Sequence, residues 1–169
     1  MSTSWRISSF NGALLAAYFI PTWTIIALRI MTSPIQGFYE RPNIAVALFI
    51  SDHLHLATMG TVRAAWLLAL GRLTVVAFFA VFLVLLCRRQ TRASGGSDEA
   101  LSIALVIGSL ISFASLLMAY HAGETAALRL HATELMLLLG TAIVCLVELP
   151  ERPPMGQSAT IRAAGGIGA

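Results

Sequence analysis

Residues 101–120 (LSIALVIGSLISFASLLMAY) contain no charged side chain. In helical form a run of this length reaches about 30 Å, the thickness of a bilayer's hydrocarbon core. In that solvent every backbone amide and carbonyl must be satisfied inside the segment, which leaves a helix as the only open-ended solution. Three further apolar runs accompany it, over residues 12–30, 64–87 and 126–147. Together they predict an all-α integral membrane protein with four transmembrane helices. The chain is 57% hydrophobic and only 11% charged. Soluble domains carry roughly 25% charged residues, so the deficit points the same way. Four spans leave no room for a soluble domain, and residues 1–154 read as one four-helix transmembrane domain. The Gly- and Ala-rich stretch 155–169 reads as a disordered cytoplasmic tail.

The first run follows a single Arg6, as a signal peptide's would, but it continues past Pro21 to Met31 without a small-x-small cleavage site. It reads as a retained span, with Thr22 and Thr24 placed to satisfy carbonyls that Pro21 frees. Between the first and second spans, Pro34, Gly37 and Pro42 break the chain, and residues 43–59 (NIAVALFISDHLHLATM) follow. Their apolar part is too short to cross, so a short interfacial helix is expected, lying on the membrane or dipping into it. On the third span Ala104, Gly108, Ser112 and Ser115 recur at helical spacing, a small-residue seam for close helix packing.

All eleven basic residues are Arg. With both termini cytoplasmic, Arg6, Arg88, Arg89, Arg92, Arg152 and Arg162 lie inside, and Arg29, Arg41, Arg63 and Arg129 outside. This arginine bias, carried by the RRQTR loop, sets the expected orientation in a bacterial inner membrane. The arginines form no patch interleaved with aromatics, so nucleic acid is not an expected partner. Cys87 and Cys145 fall at the expected cytoplasmic ends of spans and form no CxxC or Cys/His zinc pattern.

Under this topology all four histidines lie on the outer side, together with Asp52, Glu124 and Glu134. Helix rise places Arg72 about 22 Å and Glu134 about 20 Å from the inner ends of their spans. Both therefore sit below the outer surface at one level. A lone charge there costs roughly 2.5–3.5 kcal/mol on insertion scales. An intramembrane Arg72–Glu134 ion pair is expected, provided the second and fourth helices are neighbours. Glu124, His131 and Glu134 are separated by seven and three residues, which puts them on one helix face.

Two histidines on different helices can hold a b-type haem, and His55 or His121 with His131 would be the pair. His55 is preferred over His53 because Asp52 precedes it by one helical turn. His-x-x-Glu reverses the di-iron order and has no second copy, so no metal site is assigned. A Walker loop, a GxSxG elbow and a GxGxxG turn are all missing, and nothing positions a nucleophile. The reading that the residues favour is a non-catalytic accessory or anchoring subunit of a respiratory or transport assembly. Its partners would be the lipid bilayer and other membrane subunits, or further copies of itself. The alternatives are a haem b- or metal-binding subunit using the outer histidines, and a small transporter acting as an oligomer.

Overall fold

A computed structural model describes residues 7–88 and 96–148. Most described residues are helical, with no strand among them. Helix α1 spans Ile7–Thr32, α2 Pro34–Phe38, and α3 Ile44–Phe49, which continues into one π-turn at Ile50–Leu54. Helix α4 spans Thr58–Cys87, α5 Gly96–His121 and α6 Thr125–Val147. Four of them, α1, α4, α5 and α6, are long and apolar enough to cross a membrane. The expected tail over 155–169 lies outside the described residues, as does most of the polar loop after α4.

Each long helix runs beyond its apolar window. Helix α4 begins at Thr58 rather than at residue 64, and α1 begins at Ile7 rather than at residue 12. The apolar window measures what lipid tolerates, whereas the helix continues while its amides keep finding carbonyls one turn back. Pro21 sits within α1 without ending it. Thr22 Oγ1 donates to the Tyr18 carbonyl at 2.8 Å, supplying a bond in the turn where proline has no N–H to give.

The long helices form a ring in which α1 packs on α4, α4 on α5, α5 on α6 and α6 on α1. Helices α4 and α6 are therefore diagonal across the bundle. The end of the bundle carrying the start of α1 and the end of α6 is filled by Leu15, Ala16, Phe19, Val75, Phe79, Phe82 and Leu86, with Leu101, Ala104 and Leu105 from α5. Phe19 and Phe79 stack at 5.8 Å. The α5 seam is buried along its length: Ala104, Ser112 and Ser115 are at most 2% exposed. A Cβ on Gly108 would meet Leu138 and Val75 at 3.4–3.5 Å, so α4 and α6 both close on this glycine.

Glu148, just past α6, closes the ring. Its carboxylate oxygens accept the Ile7 and Ser8 amides at 3.0 Å each. These are first-turn amides of α1, and a carboxylate suits the positive end of the helix dipole.

The expected helix within residues 43–59 exists but is shorter, and it is wedged into the opposite end of the bundle. Val46, Ala47 and Ile50 join Ala27, Ile30, Phe38, Ala65 and Ala69 in a second apolar cluster. Ala45 packs with Ala119 of α5 and Ala127 of α6. Small side chains on α3 let it enter between the long helices, and this seating positions the loop ahead of it.

Candidate functional site

The site is a buried polar layer between the two apolar clusters. Arg72, His131 and Glu134 are at most 4% exposed, and Asn43 is fully buried. Trp23, from α1, stands in the middle at 1% exposure. Its indole N–H donates to Glu134 Oε1 at 3.1 Å, while its ring faces the Arg72 guanidinium at 5.7 Å. Such a contact is attractive because the ring face is electron-rich, and more so out of water.

Arg72 and Glu134 are not in direct contact: among the described residues no ion pair of 4 Å or less joins them. The expected pairing required neighbouring helices, and α4 and α6 are diagonal instead. Both charges point into the same layer and attract one another across Trp23. Arg72 takes its hydrogen bond from the loop, donating from Nη1 to Asn43 Oδ1. Asn43 Nδ2 in turn donates to the Gly37 carbonyl at 2.8 Å. Arg72 Nε and the Ser112 hydroxyl have no hydrogen-bond partner among the described residues.

His131 lies one turn before Glu134 on α6, and its Nδ1 is 3.0 Å from Glu134 Oε2. Its Nε2 is 3.2 Å from the Pro42 carbonyl. A carbonyl only accepts, so Nε2 carries a proton. The layer thus ties the loop before α3 to the bundle twice, through Asn43 to Arg72 and through Pro42 to His131.

The other outer residues do not join this layer. Glu124 is the N-cap residue of α6 and its side chain makes no capping bond. Asp52 and His55 are exposed. His55, the histidine preferred from spacing, has φ of +43° and ends the π-turn in the left-handed region. The turn by π geometry, rather than by α geometry, removes the one-turn relation with Asp52 on which that preference rested. His53 is the histidine that meets His121 instead. Its ring stacks on Phe49 at 4.5 Å and lies edge-on to His121 at 6.3 Å, on the exposed end of the bundle. His131 has both ring nitrogens engaged, so the expected axial pair of His55 or His121 with His131 is not assembled. Among the described residues no three of His, Cys, Asp and Glu converge as metal ligands do.

Trp23, Pro42 and Asn43 were not singled out as site residues from sequence. Trp23 reads as one more apolar residue in a span. Asn43 stands ahead of an apolar run, a place where Asn commonly caps a helix. It does precede α3, but its side chain makes no capping bond and goes to Gly37 and Arg72. The one available signal was its position within a loop that must face the level of Arg72.

Beside the layer, a cleft of about 410 Å³ is lined by Ile25, Ile26, Arg29, Glu40, Arg41 and Pro42. Arg29 Nη1 bonds both Glu40 oxygens at 3.1 Å there, largely in the open. No protein-family model, curated protein or solved structure matches the chain.

Proposed function

We propose that this chain is a non-catalytic, multi-pass protein of a bacterial inner membrane, serving as an accessory or anchoring subunit of a respiratory or transport assembly. Both termini would be cytoplasmic. The observation that carries this reading is how the buried polar groups are used. Arg72, Asn43, His131 and Glu134 spend their bonds on the chain's own loop and helices. A binding or transport site would aim them at a ligand path. The outward faces are apolar along the whole bundle, with Leu67, Leu110, Met136 and Ile143 all at least 60% exposed. Such faces suit lipid or the spans of another subunit.

The test is native electrophoresis of gently solubilised membranes, followed by an absorption spectrum of the purified species. The expected result is a band of fixed stoichiometry with other subunits and no difference between oxidised and dithionite-reduced spectra. A haem band would overturn the reading in favour of the cytochrome-like alternative. A complex made only of copies of this chain would favour the oligomeric transporter.

A further inference from the structure

We infer that His131 and Glu134 form a binding site for one proton, and that this proton latches the 39–43 loop onto the bundle. The inference rests on donors and acceptors, and it holds whatever assembly the chain joins. His131 Nε2 faces the Pro42 carbonyl and Nδ1 faces Glu134 Oε2. The other carboxylate oxygen already accepts the Trp23 N–H. Two arrangements satisfy all three contacts. In one, an imidazolium donates from both nitrogens to a carboxylate and to the carbonyl. In the other, a neutral imidazole donates only from Nε2, and a protonated Glu134 donates its O–H to Nδ1. Both hold the same number of protons, one more than a neutral imidazole beside a carboxylate. Once that proton leaves, a single ring N–H faces two acceptors, Pro42 and Glu134, and one contact must be given up.

The charges around the pair are few. From α1 come Trp23 and, nearer the surface, Tyr18, which interacts electrostatically with Glu134. Helix α4 supplies Arg72. The contacts Gly108–Leu138 and Ala119–Ala127 bracket the facing part of α5, where the buried residues are Ser112 and Ser115 and none titrates. Helices α2 and α3 present the Gly37 carbonyl and Ala45, and the loop between them presents the Pro42 carbonyl and Asn43. In that loop Glu40 pairs with Arg29, and Arg41 is exposed. On α6 itself, Arg129 is exposed. No other carboxylate or imidazole therefore shares the proton. Protons reach it from the cleft beside Pro42, where the His131–Pro42 contact is only partly buried.

The sign follows. The protonated pair holds the loop, so the latch is closed at low pH and opens as pH rises through the pair's loss of its proton. Hydrogen exchange of the full-length chain in lipid nanodiscs tests this, from about pH 5 to about pH 9, the range where histidine charge changes. Rates are corrected for the intrinsic effect of pH. Protection of the amides in Ile44–Phe49 should fall on the order of tenfold across a one-proton transition, as expected for one lost hydrogen bond. Glu134→Gln should abolish the transition while keeping the protection. Its carboxamide donates to Nδ1 of a neutral imidazole without needing the extra proton, and its carbonyl oxygen still accepts from Trp23. His53→Asn and His121→Asn should leave the transition unchanged, because both rings lie outside the layer. Histidine ring ¹⁵N resonances of the wild type, followed over the same range, supply a readout that needs no variant. A pH-independent wild type overturns the proposal, as does a transition that survives Glu134→Gln. So does a His131 resonance that stays fixed while protection changes.

Discussion

At the scale of single residues, Trp23 decides how the buried charges are arranged. Depth in the spans placed Arg72 and Glu134 at one level, and the structure has both in one layer. The sequence could not say which helices are diagonal, and so it could not reveal that an indole stands between the two. Trp suits the place because it offers an N–H to one charge and a π face to the other. Phe offers only the face. Trp23→Phe should therefore leave Glu134 Oε1 buried without its donor, at a cost of roughly 1–3 kcal/mol. The loss should appear in reversible unfolding by detergent denaturant, with the helical content of the folded state unchanged. A variant as stable as the wild type would mean that the Trp23–Glu134 bond contributes nothing. Trp66, exposed on α4, is the matched control, and its replacement by Phe should cost far less.

At the scale of elements, the four long helices were legible because the length and apolarity that a membrane span needs are written directly in the sequence. The loop end was not, because its structure depends on contacts made after the helices have assembled. Residues 43–59 show the difference. Their short apolar stretch predicts a helix, and α3 is there, but Ala45, Val46 and Ala47 seat it between the long helices. After the π-turn it is His53, not the His55 preferred from spacing, that meets His121, and nothing in the spacing of Asp52, His53 and His55 announces it. Gly37 was read only as a helix breaker. It also sits where a Cβ would come within 2.8 Å of the backbone of Arg29 and Ile30. Backbone cannot move aside as a side chain can, so Gly37→Ala should push α2 away from α1. Because the Gly37 carbonyl holds Asn43, the displacement passes to Arg72. Loss of stability comparable to an overpacked core, about 1–3 kcal/mol, is expected. Gly140→Ala meets nothing within 4 Å and should be neutral or slightly stabilising. Thermal unfolding of the two alanine variants side by side checks the contrast; equal midpoints would show that the α1–α2 approach is looser than this geometry.

At the scale of the whole molecule, connectivity sorts the charges between the two ends of the bundle. Four long helices in a ring bring the start of α1 and the end of α6 to one end, where Glu148 binds the first amides of α1. The same end carries Cys87, exposed beside Arg88, and the start of α5. Among the described residues Arg88 belongs to this end and Arg29, Arg41, Arg63 and Arg129 to the other, with Arg72 in the layer between. The proposed orientation, which rests on the arginine bias of the sequence, would turn Cys87 toward the cytoplasm. A membrane-impermeant maleimide distinguishes the two orientations in a Cys145→Ala background, which leaves Cys87 as the only thiol in the chain. In intact spheroplasts Cys87 should stay unlabelled, and it should react once the membrane is opened. Asp52→Cys, made in a cysteine-free background, should behave in the opposite way, because residue 52 is exposed at the other end. Labelling of Cys87 in sealed cells, together with protection of position 52, would invert the orientation. The proton latch would then face the cytoplasm, and the cleft at Pro42 would sample cytoplasmic pH.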